Sequence, residues 1–336
     1  MLNIAIIVLE NSYCSSISGL IDVLQIANAH CRRISPQAKE TFSWSLVTER
    51  PRDPVKVKGG IRLIADASLQ SVDKFDLVYL PGVFYPGAKK FSQWLKGHQG
   101  LYKRLREWAD KGIKIAANCT ATFMLAESGL LNNKEATTTW WLMSQFQHRY
   151  PAVNLNINSA LTKDGNIYCS GAMTAYHQLA LHLVETHTSP EVAALCAKTM
   201  LINVGENTQT PYQNLNIPIT DGDTLISRIQ YWLKNHIQTD VNFSRLAQKF
   251  DISQRTLIRR FKNATGTTPL NYFQNLRMEH AKTLLAASPL SVADVMMQVG
   301  YIDPSAFNRL FKLRVGMSPS VYRQRFSEEG INFIQE

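Results

Sequence analysis

"FKLRVGMSPSVY" (311–322) repeats the pattern of "FKNATGTTPLNY" (261–272) at a distance of fifty residues. Phe, Lys, Gly, Pro and Tyr recur at the same offsets in both stretches, and Arg309 is in register with Arg259. Agreement at six positions is improbable by chance. The pattern therefore indicates that one helical unit has been duplicated within the chain.

Each copy has the signals of two short helices joined by a tight turn. "NFSRLAQKF" (242–250) and "SVADVMMQV" (291–299) predict the first helices, with Asn242 and Ser291 as their N-caps. The turns are "DIS" and "GYID", and second helices are predicted over about 254–264 and 304–314, each ending before a glycine, Gly266 or Gly316. A helix, a turn and a second helix with basic side chains is the motif that reads the major groove.

The positive charge of the chain is concentrated in this duplicated region. The whole chain of 336 residues has a net charge of +10. Residues 253–325 hold eleven basic side chains against three acidic ones, which leaves only +2 for the rest. Such a concentration is typical of a surface that binds a polyanion, although charge alone also fits a solvated basic face without a partner.

Residues 223–326 resemble the AraC-type DNA-binding domain. The signature is "VGYIDPSAFNRLFKLRVGMSP" followed by Tyr322-Arg323, and a long helix predicted over about 270–286 joins the two helix-turn-helix units. The resemblance implies that both second helices enter successive major grooves on one face of the duplex, ~34–36 Å apart.

The periodicity of the second helices divides their side chains between a core face and an outer face. Leu257 and Phe261 in the first copy, and Phe307 and Phe311 in the second, are predicted core residues. The outer positions match those that contact base edges in the family, namely Arg255, Ile258, Arg259, Ser305, Asn308 and Arg309. For any one of them the alternative is a phosphate contact, or none. The candidate phosphate ligands are Lys262, Lys312 and Arg323.

The first 205 residues alternate between apolar strand-like runs and amphipathic helical patterns. Strands are predicted at 4–9, 42–49, 75–82, 113–119 and 166–171, with helices between and after them. This alternation predicts an α/β fold, a flavodoxin-like parallel sheet with helices on both faces, in front of an all-α carboxyl-terminal domain. Ligands gather at the carboxyl ends of such strands, which carry Tyr13, Gly82, Cys119 and Gly171.

This region resembles the class I glutamine amidotransferase-like fold of the ThiJ/PfpI superfamily. The matching stretches are "CTATFMLAESGLLNNKEATTTWW" (119–141) and "DGNIYCSGAMTAYHQLALHLVE" (164–185). Such a domain ahead of an AraC-type reader is the arrangement of the GlxA-like regulators. We expect a ligand-sensing and dimerisation domain at 1–205, a polar linker at 206–222 and the DNA-binding domain at 223–330.

Cys119 lies where superfamily members place a nucleophile. A cysteine at a helix N-terminus has a depressed pKa, so Cys119 could be reactive. The catalytic designs that the resemblance suggests each lack a part here, however. Thr120 stands where the hydrolase branch has His, and Ser16 where the hydratase branch has Asp. "PGVF" (81–84) replaces two adjacent glycines, and no His-x-Glu triplet follows the cysteine. We therefore expect no enzymatic activity.

The expected ligand pocket has Asp22, Cys119 and Thr120 as its floor. One wall is predicted to consist of Thr138, Thr139 and Trp140. Asp22 could instead face solvent, and Trp140 could belong to the core. We expect no cofactor and no metal, because His177 and His182 are five residues apart and the other four cysteines have no regular spacing.

The sequence thus predicts a regulator that binds a double-stranded DNA operator and a small polar effector, which the resemblance suggests is an amino acid or a betaine. A homodimer is expected. The start "MLNIAIIVLENSY" is typical of a buried strand rather than a signal peptide, and no stretch reaches the length of a membrane span, so we expect a cytoplasmic protein. Two alternatives stay open: a cysteine hydrolase or hydratase fused to a DNA-binding domain, and a regulator that senses oxidation of Cys119.

Overall fold

The computed structural model describes residues 1–37, 40–48, 53–203, 207–213, 215 and 223–327. The chain divides into two compact units, Met1–Gln209 and Thr210–Glu336. No helix among the described residues has the length and apolar character needed to cross a membrane.

The first unit is built on one large sheet. Its strands are β1 (Leu2–Ile7), β2 (Phe42–Thr48), β3 (Val55–Lys56), β4 (Arg62–Leu63), β5 (Ala67–Ser68), β6 (Leu77–Leu80), β7 (Lys114–Asn118), β8 (Glu135–Ala136), β9 (Asn154–Leu155), β10 (Leu161–Asp164) and β11 (Ile167–Ser170). Its helices are α1 (Cys14–Ile34), α2 (Ala88–Lys96), α3 (Gln99–Asp110), α4 (Thr122–Glu127), α5 (Met143–Arg149), α6 (Tyr176–His187) and α7 (Pro190–Thr199).

Seven strands pair in the order β10-β11-β7-β6-β1-β2-β5. All neighbours are parallel except β10, which runs antiparallel to β11. From β1 the chain proceeds outward to β2 and β5, then returns to place β6 on the other side of β1. The predicted parallel α/β fold is confirmed, and the reversal in strand order marks the edge where ligands bind in such sheets.

Helices cover both faces of the sheet because the inner strands are mainly apolar and their side chains point to both faces. Ala5 and Ile7 of β1 pack against the layer of α2–α5, whereas Ile4 and Ile6 pack against α1, α6 and α7. This alternation follows from the two-residue period of a strand. The largest fully buried side chain is Trp108 of α3.

The second unit is helical. It consists of α8 (Thr224–Asn235), α9 (Phe243–Lys249), α10 (Gln254–Thr265), α11 (Pro269–Ala287), α12 (Val292–Gln298), α13 (Pro304–Val315) and α14 (Pro319–Phe326). The first half of α11 packs into a core with α8, α9 and α10, and its second half packs into another core with α12, α13 and α14. One helix therefore belongs to both copies of the repeat.

The second helices of the two copies have the same length and the same burial pattern. Helices α10 and α13 each contain twelve residues, and Phe261 and Phe311 are fully buried at equivalent positions. Asn242 and Ser291 cap α9 and α12 with their side chains, as the sequence predicted. The duplication of one helical unit is thus visible in the packing as well as in the residues.

The copies differ by one residue in their turns. Helix α9 begins forty-nine residues before α12, at Phe243 and Val292, but α10 begins fifty residues before α13. Each turn begins at a residue with a left-handed backbone and ends at the N-cap of the second helix. In the first copy these residues are Asp251 and Ser253, and in the second copy they are Gly300 and Asp303. The additional residue is Ile302, which is 94% exposed.

Candidate functional sites

Cys119 lies at the carboxyl edge of the sheet, directly after β7. Its backbone has φ of 56°, which is strained for a residue with a side chain, and it opens a short 3₁₀ turn that leads into α4. The hydroxyls of Thr122 and Thr138 lie 2.7 and 3.2 Å from the Cys119 carbonyl oxygen and 2.6 Å from each other. These contacts hold the strained turn in place.

The thiol of Cys119 is buried, with 2% of the residue exposed. Burial raises the pKa of Cys119 to about 11, although the backbone amide of Thr120 and the hydroxyls of Thr139 and Thr120 favour the thiolate. The expectation that the helix N-terminus depresses this pKa is therefore wrong. Burial of the sulfur away from water outweighs the three hydrogen bonds that favour the thiolate, so the protonated thiol is the favoured form at neutral pH.

The backbone amides after β6 are already bound. The Gly82 N–H donates to Ser16 Oγ at 3.1 Å, and the Val83 N–H donates to Thr120 Oγ1 at 2.9 Å. Thr120 in turn donates to the Val83 carbonyl at 2.6 Å. The amides of Gly82 and Val83 are thus occupied by side chains of the protein itself, and the Thr120 hydroxyl serves Val83 as well as Cys119.

Ser16 belongs to a network of buried polar side chains. It is fully buried, and its hydroxyl lies 2.7 Å from the Tyr79 hydroxyl and within hydrogen-bond distance of the Asn118 side chain at 3.0 Å. The side chains that surround Ser16 are therefore neutral hydroxyl and amide groups.

Asp22 is exposed on α1, which agrees with the alternative that it faces solvent. Its charge, together with the larger effect of burial, raises the pKa of Tyr176. The ring of Tyr176 lies directly over Gly19, where a Cβ atom would come within 2.4 Å of it. Among the hydrogen bonds of the described residues, none joins Asp22 to Cys119 or to the threonines.

Thr138 and Thr139 are fully buried behind Cys119, and Trp140 is half-buried. A rim of two aromatic residues borders the same edge of the sheet. Burial, and to a smaller degree Cys119, raises the pKa of Tyr13, whose ring packs edge-to-face against Phe84 at 6.4 Å. The Nζ atom of Lys58 lies 3.6 Å from the centre of the Phe84 ring. The sequence placed Tyr13 at this edge but did not indicate Phe84 or Lys58.

Gln209 is a buried polar residue that the sequence analysis did not identify. It falls within the predicted linker, yet only 3% of it is exposed, and its amide group packs against Gly171 at the carboxyl end of β11. A glutamine in a polar segment without periodicity gives no sequence signal of burial. Among the described residues, no group of three His, Cys, Asp or Glu side chains could hold a metal ion.

The predicted base-reading side chains all lie on the surface of the second unit. Every one of them is exposed, as are the two candidate phosphate ligands on the same helices; the set is Arg255, Ile258, Arg259, Lys262, Ser305, Asn308, Arg309 and Lys312. Asn308 Nδ2 donates to the Pro304 carbonyl at 2.8 Å, so this side chain must exchange a bond to reach a base.

Other basic residues of the region hold the fold together. Arg260 makes a two-nitrogen contact with Asp223, the N-cap of α8, at 2.8–3.1 Å. Arg323 is half-buried, and its Nε donates to the Leu285 carbonyl at 3.4 Å. Of the three candidate phosphate ligands, Arg323 is therefore the one whose side chain is partly buried and bound to the backbone of the same unit.

Comparisons with known proteins agree with this architecture. The DJ-1/PfpI family matches residues 3–186, and a helix-turn-helix domain matches residues 246–325. The HTH-type transcriptional regulator CdhR of Pseudomonas aeruginosa is 27% identical over 287 residues, which cover 84% of this chain and 81% of CdhR. The regulator GbdR of the same species is 21% identical over 326 residues, which cover 96% and 84%. A putative transcriptional regulator from Vibrio parahaemolyticus, with 24% identity, shares the fold at a TM-score of 0.51 over 60% of this chain and 99% of its own.

The first match spans more than half of the chain, and the second covers nearly all of both copies of the repeated unit. The chain belongs to the DJ-1/PfpI family, and an AraC-type helix-turn-helix domain follows its family domain.

Proposed function

We propose that the protein is a sequence-specific transcription regulator, in which the first unit senses a small polar metabolite and the second binds an operator. The observation that carries the proposal is the repeated helix-turn-helix, whose two second helices present exposed cations at equivalent positions, Arg259 and Arg309. The similarity to CdhR and GbdR, both transcriptional regulators by name, supports it.

In this proposal the exposed residues of α10 and α13 divide into two roles. Arg255, Arg259 and Arg309 offer paired donors to guanine, and Ile258 offers an apolar contact to a thymine methyl group. Lys262 and Lys312, one turn further along each helix, bind phosphates and fix the register of the helices on the duplex.

We propose that the first unit does not catalyse a reaction. A nucleophile needs a thiolate and a base or charged partner, whereas Cys119 is a buried neutral thiol. The neighbouring amides of Gly82 and Val83 are bound to side chains, and Ser16 occupies the place of an acid. Together these features support a binding site over an active site.

The proposed effector site is the sheet edge at Cys119, with Thr138, Thr139 and Trp140 on one side and Asp22 as a further member. The rim residue Lys58 adds a cation there, which suits the carboxylate of an amino acid or a betaine. Thr120 contributes to the shape of the floor, because its hydroxyl is held by the backbone of Val83.

The proposal includes a homodimer in the cytoplasm. All five cysteines are free thiols, which fits a reducing compartment. Light scattering of the purified protein, with and without operator DNA, tests the dimer.

The DNA-binding function is tested by selecting sequences from a random duplex pool with the full chain. The selected operator is then titrated with wild type and with Arg255→Ala and Arg259→Ala. We expect wild type to prefer the operator over random duplex by at least about 10³-fold, and both variants to lose preference at defined base pairs. Equal binding of wild type to all duplexes would refute the proposal.

The effector site is tested by a thermal-shift screen of amino acids and betaines on the full chain. A ligand present at about 100 times its Kd stabilises by about 2.7 kcal/mol. Lys58→Ala and Asp22→Ala should weaken the response to any compound that binds here, and Asp110→Ala, an exposed carboxylate at the end of α3, is the matched control. Turnover of an amide or isocyanide that disappears in Cys119→Ala would instead favour the enzymatic alternative.

A further inference from the structure

The side-chain amide of Gln209 occupies a cradle of polar backbone and side-chain groups. Its Nε2 lies 2.9 Å from the Thr138 carbonyl oxygen, 3.1 Å from Thr137 Oγ1, 3.1 Å from the Ser159 carbonyl and 3.2 Å from the Ile157 carbonyl. Its Oε1 accepts from the Ala172 N–H at 2.8 Å.

The shape of the cradle depends on Gly171. A Cβ atom at this position would come within 2.3–2.5 Å of three atoms of the Gln209 amide, so no side chain fits there beside it. Gly171 does not have a positive φ. Glycine is therefore required at this position because a side chain has no space there, and not because of the backbone conformation. The glycine and the glutamine form one fitted pair.

The chemistry of the cradle selects a primary carboxamide. Four oxygen acceptors surround the nitrogen, and one N–H donor faces the oxygen, so the group must present donors on one side and an acceptor on the other. A carboxylate would place a negative oxygen against three carbonyl oxygens, and the Thr137 hydroxyl could donate to it only by giving up its bond to the Ser159 carbonyl. An apolar side chain would leave all five groups without this partner.

Thr138 joins this cradle to the Cys119 site. Its carbonyl accepts from Gln209, and its hydroxyl lies 3.2 Å from the Cys119 carbonyl and 2.6 Å from the Thr122 hydroxyl. A displacement of Thr138 by a molecule at the Cys119 site would therefore change the bond to Gln209 directly.

Gln209 is also the point where the first unit ends. Within that unit, its N–H donates to the Asn158 carbonyl at 2.8 Å, so backbone and side chain are both held. The next residue, Thr210, begins the second unit, and within the second unit its Cβ lies 3.2 Å from the position of a Cβ on Gly316, just past α13. Tyr212 packs edge-to-face on Phe326 of α14 at 5.4 Å.

We propose that the Gln209 carboxamide acts as an internal ligand of the first unit. By binding the cradle beside Thr138, it fixes the end of the first unit to one wall of the Cys119 site. This inference rests on the proposed function of the two units. Binding of Gln209 in the cradle and binding of an effector at the Cys119 site are coupled through Thr138. When Gln209 leaves the cradle, the chain that leads into the second unit is no longer fixed to the first unit. The cradle is thus a carboxamide site that the chain fills itself.

The first experiment is chemical rescue of Gln209→Ala. This variant removes a fragment equivalent to acetamide, so added acetamide should bind the vacated cradle and raise the melting temperature of the variant. Sodium acetate at the same concentration should not. Gln93→Ala, an exposed glutamine of α2, is the control, and its melting temperature should respond equally to both compounds. An identical response of Gln209→Ala to acetamide and acetate would overturn the carboxamide site.

A second variant keeps the test decisive if Gln209→Ala does not fold. Gln209→Glu has the same size but places an acid in the cradle, and it should be less stable than wild type by a margin that grows as the pH rises from 5 to 8, because ionisation removes the donor. A margin that is independent of pH would contradict the cradle chemistry.

The regulatory part is tested by operator titration of the same variants. We expect the operator Kd of Gln209→Ala to differ from wild type by about fivefold or more, the lower end of ordinary coupling, and to return toward wild type with acetamide. If rescue of stability occurs but the operator Kd never changes, the cradle is structural and the proposed coupling is refuted. If wild type selects no operator at all, the proposed function fails independently, since the rescue of stability does not depend on DNA.

Discussion

Gly266 and Gly316 lie fifty residues apart and end their helices in the same way. Both have a left-handed backbone, with φ of 73° and 86°, and each N–H donates to the carbonyl of a lysine four residues earlier, at 2.8 and 2.9 Å. A side chain disfavours this conformation, so the glycines fix where α10 and α13 stop.

Alanine at either glycine should therefore destabilise the second unit. Gly266→Ala should cost about 1–2 kcal/mol, and Gly316→Ala more, since its Cβ would meet the Thr210 Cβ at 3.2 Å. Calorimetric unfolding of the full chain measures both. Gly100→Ala, in the open face of α3, is the control and should be neutral or slightly stabilising. Equal stability of Gly316→Ala and Gly100→Ala would contradict this account.

The additional residue in the second turn leads to a different stability prediction. Ile252 packs against the core around Leu257 and Phe261, whereas Ile302 is 94% exposed. Ile252→Ala should lower the free energy of unfolding by about 1–2 kcal/mol, and Ile302→Ala should change it by less than about 0.5 kcal/mol. Urea denaturation of the two variants measures both free energies of unfolding. A larger decrease for Ile302→Ala than for Ile252→Ala would mean that Ile302 is not the inserted residue.

The buried thiol of Cys119 should be chemically inert. With a pKa of about 11 it is protonated at pH 7.5, so iodoacetamide should label the half-buried Cys14 and Cys31 well before Cys119 in the native protein. Mass spectrometry of labelled peptides gives the order. Rapid labelling of Cys119, or its oxidation by dilute peroxide, would instead support the redox-sensing alternative.

The same pKa predicts a dependence of stability on pH. Because the folded pKa is raised above the unfolded value of about 8.5, the stabilisation from this group is complete below that pH and is lost as the pH rises through about 11. Cys119→Ser, with no group that titrates there, should lose less stability than wild type between these pH values. Denaturant titrations at both ends of the range provide the comparison.

Three basic residues should respond differently when each is changed to alanine. Arg259→Ala should relax preference at one base pair by about 1–3 kcal/mol. Lys312→Ala should weaken binding to all duplexes and reduce the salt slope by about one. Arg260→Ala removes the same charge but breaks the pair with Asp223, so it should lower stability by about 0.5–1 kcal/mol and leave base preference unchanged. Operator titrations at several salt concentrations separate the three outcomes.

The sequence was sufficient to predict the architecture of both units. The apolar runs of β1 and β6 and the paired glycines of the repeat are local signals, and the structure confirms the strands, the helix ends and the caps at Asn242 and Ser291. Exposure of the outer face of α10 and α13 followed from helical periodicity, because Leu257 and Phe261 fix which side is buried.

The chemistry at the sheet edge could not be predicted in the same way. The pKa of Cys119 depends on how completely distant segments cover it, and the position of Thr120 in the chain does not reveal that its hydroxyl is bound to the backbone of Val83. Gln209 was hidden for the same reason, since burial of a polar side chain depends on partners far away in the chain such as Thr138.

The unlike outer faces of the two copies, Arg255, Ile258 and Arg259 on one and Ser305, Asn308 and Arg309 on the other, stand in a fixed order along a single polypeptide. If these residues read bases as proposed, an operator in the reverse orientation would present each copy with the bases that its counterpart reads. One chain would then distinguish the two orientations of its operator, and the direction of the site would matter as much as its base composition.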